Sequence, residues 1–251
     1  KPVHRLAVNH DRLICIAVTS RSRGKYANEG LPFGEGKSTL AYHISKAVYQ
    51  KYGSFGPEKA GQLARENYGY TWEDMDRMFE RANDSRVLSY VADDFQAIAG
   101  KDVAHDPEVK RKASHLTTAR PFLAVFISTQ PDLSYIAKCW RDVFIIEIKI
   151  PFRGFCEIHM LDTYSPFRDP LNPRVRLAYK TEMNFPDLDE EEKAWYVPWR
   201  KNKTHTQKRD IYNKPEKGKR GRPIDESVGL LREFGVVGPQ AHLRKIVKAL
   251  R

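Results

Sequence analysis

The most constraining stretch of this chain lies near its start, where an apolar run, a polar glycine-bearing segment and an amphipathic helix follow one another. Arg12-Leu-Ile-Cys-Ile-Ala-Val-Thr19 is continuously apolar, the pattern of a strand covered on both faces in a parallel sheet. From Lys37 onward, Leu40, Ile44, Ala47 and Val48 recur at helical spacing, and Gly53 supplies a stop. The buried-strand pattern returns at Val87–Ala92, Phe122–Ile127 and Val143–Ile150. A polar helical stretch from Pro57 to about Ala82 precedes them, with Trp72, Met75, Met78 and Phe79 as its apolar positions. Ser134 to Trp140 is long enough for a short helix. Strands alternating with helices predict a three-layer α/β domain with a mainly parallel sheet over residues 1–150.

Beyond Pro151 the texture changes. Gly154–Met160 and Val175–Thr181 read as strands around the turn-rich Ser165-Pro-Phe-Arg-Asp-Pro-Leu-Asn-Pro173, which predicts a β-rich extension over residues 151–199. Residues 200–223 are dense in lysine, arginine, proline and glycine, the composition of a flexible basic linker. Residues 224–251 close the chain as a small helical C-terminal module. Its two short amphipathic runs are broken at Gly235-Val-Val-Gly-Pro239.

With 251 residues, 41% hydrophobic and 30% charged, the chain has material for one substantial core and a small second module. A formal net charge of +11 suits a polyanionic partner. Cys15, Cys139 and Cys156 are odd in number and far apart, which argues for buried thiols over a disulfide framework or a zinc cluster. No apolar run is long enough to span a bilayer and Lys-Pro-Val-His-Arg does not open a signal peptide, so no membrane partner and a cytoplasmic location are expected.

The chemistry concentrates between the first strand and its helix. A loop that binds phosphate needs glycines so that backbone N–H groups can converge on the anion. It also needs a lysine for the β and γ oxygens and a hydroxyl for Mg²⁺. Gly34, Glu35, Gly36, Lys37, Ser38 and Thr39 supply all of these between a buried strand and an amphipathic helix. The usual pattern also has glycine six places before the lysine. Here that place is Leu31, with Gly30 one residue earlier.

A companion carboxylate belongs at the end of a buried strand. Val87-Leu-Ser-Tyr-Val-Ala-Asp93-Asp94 provides two, with Asp93 expected at the metal beside Ser38 and Asp94 expected to activate water. Without the loop, the same pair would read as caps of the next helix. After the third strand, Gln130 in Ser128-Thr129-Gln130 is placed to sense a γ-phosphate. Arg141, or Arg120, is a candidate arginine finger acting on a neighbouring subunit.

Gly-Glu-Gly-Lys-Ser-Thr, the segment Tyr68-Gly-Tyr-Thr-Trp72-Glu73, the Asp-Asp pair and a basic tail together resemble the additional-strand, catalytic-acid P-loop ATPases, the superfamily of AAA+ proteins and HerA/FtsK pumps. More narrowly, the combination looks like the DnaA-like ATPases of archaeal viruses and plasmids. The resemblance covers about residues 10 to 150 and implies a P-loop NTPase fold, ATP and Mg²⁺ as cofactors and assembly as a homo-oligomer. The helical lid of typical AAA+ proteins has no counterpart here. Further on, Lys219-Arg220-Gly221-Arg222-Pro223 resembles an AT-hook core and the arm before the helix-turn-helix of Hin-type invertases. In both, arginines enter a narrow A·T minor groove. The expectation is therefore a Mg²⁺-dependent ATPase acting on DNA, of replication-initiator or helicase-loader type. A DNA translocase and a nucleotide-gated DNA-binding regulator are the alternatives.

Overall fold

The computed structural model describes residues 13–20, 36–82, 85–162 and 176–213. A mixed seven-stranded sheet organises the chain, in the order β2-β3-β4-β1-β5-β6-β7. Its strands are β1 (Ile14–Ser20), β2 (Tyr68–Gly69), β3 (Val87–Ala92), β4 (Leu123–Thr129), β5 (Ile146–Phe152), β6 (Phe155–Asp162) and β7 (Arg176–Asn184). The first five run parallel, and β6 and β7 add antiparallel strands beyond β5.

Every residue of β1 and of β4 is buried, as continuous apolar runs covered on both faces require. The described residues form seven α-helices: α1 (Lys37–Tyr52), α2 (Pro57–Glu66), α3 (Trp72–Ala82), α4 (Gln96–Ala99), α5 (Pro107–Thr118), α6 (Lys138–Arg141) and α7 (Glu190–Asn213). Side-chain alternation along the strands sorts α1, α3, α5 and α6 onto two faces. Cys15 and Ala17 of β1 share a core with Met75 and Met78 of α3, Leu116 of α5 and Trp140 of α6. On the opposite face, Tyr49 of α1 donates to the Ser89 carbonyl of β3 at 3.0 Å, and α2 packs on α1. The first face is built around rings: Phe95 meets Trp140 edge-on with centroids 4.8 Å apart, and Trp72 stacks on Trp140 at 5.8 Å. The indole N–H of Trp140 donates to the Val109 carbonyl at 3.1 Å, so its one polar atom is satisfied inside the core.

The order of strands determines where a ligand can enter. From β1 the chain crosses by α1 and α2 toward β2 over one face, and from β4 it crosses by α6 toward β5 over the other. The neighbours β1 and β4 thus send their connections apart, which opens a crevice at their carboxyl ends.

Two features differ from the reading of the sequence. The strands after Pro151 continue the one sheet, with β6 paired to β5 from Ile146↔Met160 to Phe152↔Phe155, because β5 would otherwise present an open edge. Residues 190–199, read as part of the β-rich extension, and residues 200–213, read as linker, together form α7, a helix that passes through Pro198. The chain divides into two compact units, Lys1–Glu190 and Glu191–Arg251. Within the second, Trp199 stacks with Trp195 and Tyr196, and Lys203 lies 5.5 Å from its ring centroid. Residues 224–251 lie outside the described residues. No helix among the described residues is long and apolar enough to cross a membrane.

Candidate functional site

Three strands and one helix converge at the crevice. β1 ends at Ser20, β3 ends just before Asp93, β4 ends at Thr129, and α1 begins at Lys37. Gly36, immediately before α1, has φ 90°, the left-handed region that glycine enters without cost. That turn starts α1 with no side-chain cap and no acidic residue in its first turn, so its leading N–H groups and the positive end of its dipole are not neutralised by a cap or a carboxylate of its own.

Asp93 is the centre of the arrangement and is 2% exposed. Its Oδ1 accepts from the Ser38 hydroxyl at 2.7 Å and from the Thr129 hydroxyl at 2.7 Å. The Thr129 oxygen in turn accepts from the Asp94 backbone N–H at 2.9 Å. A hydroxyl can donate and accept at once, so Thr129 links the two aspartates as a relay. Asp94 itself has φ 50°, a left-handed conformation that aspartate tolerates better than most side chains. Lys37 Nζ donates to Ser20 Oγ at 3.2 Å, which places the ammonium at the end of β1.

Tyr68 closes one side by donating to the Ser38 carbonyl at 3.1 Å. The two residues of β2 are held there by backbone pairing, the Asp93 N–H donating to Gly69 O at 2.8 Å. A Cβ on Gly69 would stand 2.4 Å from Asp74 Cβ and 2.5 Å from Tyr90 Oη, so the segment admits only glycine at this point. Thr71 and Asp74 then cap α3 reciprocally, at 3.1 and 3.2 Å.

Lys37, Ser38 and Asp93 are thus brought into one cluster, and Asp94 is joined to it through Thr129. Gln130 lies next to it, fully buried, with neither amide atom hydrogen-bonded among the described residues. Thr129 points to Asp93 and Gln130 is its successor in the chain; the backbone N–H of Gln130 donates to Val18 O at 3.1 Å. Arg141 ends α6, exposed, on the face of the sheet opposite α1, and one chain does not bring it to the cluster. Arg120 is also exposed, and its carbonyl accepts from Arg86 at 3.1 Å. Gly34, Glu35 and the tail residues Arg220, Gly221, Arg222 and Pro223 lie outside the described residues. Thr39 is buried in the first turn of α1.

Sequence reasoning overlooked Ser20, Tyr68 and Thr129. Tyr68 stands in the Tyr-Gly-x-x-Trp-Glu segment, and Thr129 directly precedes Gln130. Both carried a signal that only strand register converts into a role.

Among the described residues no group of three His, Cys, Asp or Glu side chains could hold a metal by itself. Cys15 is not a reactive thiol, because burial pushes its pKa up to about 12. What the cluster offers is an anion-directed helix start, an ammonium, a hydroxyl and a buried carboxylate within one crevice, with the backbone of Asp94 tied to it through Thr129. Searches of protein-family models and of curated proteins find no match to this chain.

Proposed function

We propose that this chain binds ATP with Mg²⁺ as a P-loop NTPase, hydrolyses it, and works on DNA as an oligomer of replication-initiator or helicase-loader type. The single observation behind the reading is the hydroxyl–carboxylate relay of Ser38, Asp93 and Thr129 beside Lys37. A buried carboxylate held by two hydroxyls costs more to desolvate than an apolar replacement, so the arrangement is explained by a ligand better than by folding.

The donor set fits Mg²⁺: Ser38 Oγ and Asp93 Oδ1 are hard oxygens 2.7 Å apart, and this ion takes few protein carboxylates because phosphate and water complete its shell. Ser38 and Asp93 would hold it, and when bound it would draw negative charge from the phosphate oxygens. Lys37 and the leading N–H groups of α1 meet the β and γ phosphates. Asp94 accepts the proton of the attacking water, its backbone fixed by Thr129. Gln130 and, from a neighbouring subunit, Arg141 remain the groups for sensing and stabilising γ-phosphate charge.

The DNA part of the proposal is supported by the net charge of +11 and by exposed Arg200 and Lys201 on α7, which lead toward the tail of Arg220 and Arg222. The test is nucleotide affinity and turnover of the full chain with and without duplex DNA, beside Lys37→Ala. Wild type should bind MgATP and turn it over faster on DNA, and the folded variant should bind at least about tenfold more weakly. Equal affinity in the two proteins would remove the phosphate-loop assignment.

A further inference from the structure

The antiparallel flank of the sheet reaches back to the start of α1. Since β5 runs parallel to β1, with Ser20 level with Ile150, its continuation overhangs the carboxyl end of β1. The β5–β6 hairpin turns through Arg153 and Gly154, the latter at φ +85°, between the stacked rings of Phe152 and Phe155. β7 ends at the same place, where the Phe185 N–H donates to Gly154 O at 2.9 Å. The Phe185 ring then lies on Gly36: a Cβ there would meet it at 3.2 Å and would stand 3.9 Å from Arg153 Cγ. The guanidinium of Arg153 is paired with Asp187 at 2.6 Å.

We propose that Arg153 is a phosphate contact supplied by the same chain, which makes the site favour a nucleoside triphosphate over a diphosphate, with Asp187 holding its guanidinium in reserve. The inference rests on the nucleotide-binding reading above. The pair is an expensive way to gain stability, because its side chains are 63% and 47% exposed and ion pairs in water contribute little. Its position is the distinctive feature. The stem of Arg153 passes near Gly36 while its planar head stays in solvent, able to exchange one carboxylate for a phosphate of matching fork geometry. Lys37 and the N–H groups of α1 serve phosphates present in both nucleotides, whereas a group arriving from outside the loop distinguishes the additional γ-phosphate.

The test is calorimetric binding of MgATP and MgADP to the full chain and to Arg153→Ala, Arg153→Lys, Asp187→Asn and Lys37→Ala, each checked for fold by circular dichroism. Arg153→Ala should lose about tenfold in MgATP affinity while MgADP affinity stays as in wild type. Arg153→Lys should fall between, because it keeps the charge and loses the fork. Asp187→Asn should raise MgATP affinity, having released the guanidinium. Equal losses for both nucleotides, or none for either, overturn the proposal while the Lys37→Ala loss keeps the nucleotide site. Wild type binding neither nucleotide overturns both. If Arg153→Ala does not fold, the selectivity ratios of Arg153→Lys and Asp187→Asn decide alone: a ratio unchanged from wild type in both rejects the role.

Discussion

Strand β4 has two different interiors along its length, and β1 and β3 repeat the contrast. Along the body of these strands, Cys15, Tyr90 and Phe126 belong to a core of rings in which Phe126 meets Tyr90, Phe95, Trp140 and Phe144. At their carboxyl ends, Ser20, Asp93, Thr129 and Gln130 are as deeply buried, yet every one is polar. Burial is therefore not what separates the regions. In the ring core the indole N–H of Trp140 is satisfied by the Val109 carbonyl. The polar end leaves both amide atoms of Gln130 and the Ser128 hydroxyl without partners among the described residues, each at a cost of about 1–3 kcal/mol. One end of the strands is optimised for packing. The other retains groups that packing alone would have replaced.

The sharpest way to break this division is to change one atom at the polar end. Asp94→Asn keeps the size and the backbone bond to Thr129 but cannot accept a proton, so turnover should drop about 10²–10⁴-fold with MgATP affinity retained. Single-turnover hydrolysis alongside equilibrium binding measures both. A variant with wild-type turnover removes Asp94 from the chemistry, and one that unfolds makes the polar end structural after all.

The converse experiment attacks the ring core. Trp140 is fully buried and touches Trp72, Phe95 and Phe126. Trp140→Ala should cost about 3–5 kcal/mol in urea or thermal unfolding. At temperatures where the variant is folded, its nucleotide affinity should match wild type. Loss of affinity without loss of stability would mean that the two regions are coupled and not merely adjacent.

Thr129 marks how far the sequence was legible. Strands β1, β3, β4 and β5 were recognisable because their apolar runs are covered on both faces. Ser38 and Asp93 could be paired because a loop, a helix and a strand end have fixed chemistry. A register question is different: Ser128, Thr129 and Gln130 are all polar, and which of them faces Asp93 depends on how β4 pairs with β3, with Val91 opposite Ile127 and Ala92 opposite Ser128. β2 was too short to leave a pattern, and Pro198 together with the basic composition concealed α7. Thr129→Val removes the relay hydroxyl at nearly constant volume. It should cost about 1.5–3 kcal/mol, read as lost turnover, lost stability or both, because two bonds end on that oxygen, one of them to a carboxylate. Gln130→Ala, which breaks no side-chain bond among the described residues, should cost no more stability than the cavity it opens. If the two variants exchange these behaviours, the register reading is wrong.

The smallest expected effect separates the regions by pH alone. Burial pushes the Cys15 thiol up to about 12 and the Cys156 thiol to about 11, both from 9.0. Burial also raises Tyr49 to about 12 from 10.0. Each of these groups has a folded value above its unfolded one, so below pH 9 both states hold the protons and stability does not depend on them. Between 9 and 10 the unfolded chain releases the two thiol protons while the folded chain keeps them, so stability falls as pH rises. Each thiol weakens the folding equilibrium by up to about tenfold per pH unit. Cys15 lies in the ring core and Val is close to it in size, so Cys15→Val should leave stability near neutrality almost unchanged and make the slope between pH 9 and 10 shallower, the remainder coming from Cys156 and the buried tyrosines. Urea midpoints at half-unit intervals from pH 7.5 to 10 measure it. An unaltered alkaline slope would mean that the Cys15 thiol ionises as easily folded as unfolded. The strand end assigned to packing would then be open to water, and the contrast with the polar end would fail at its simplest point.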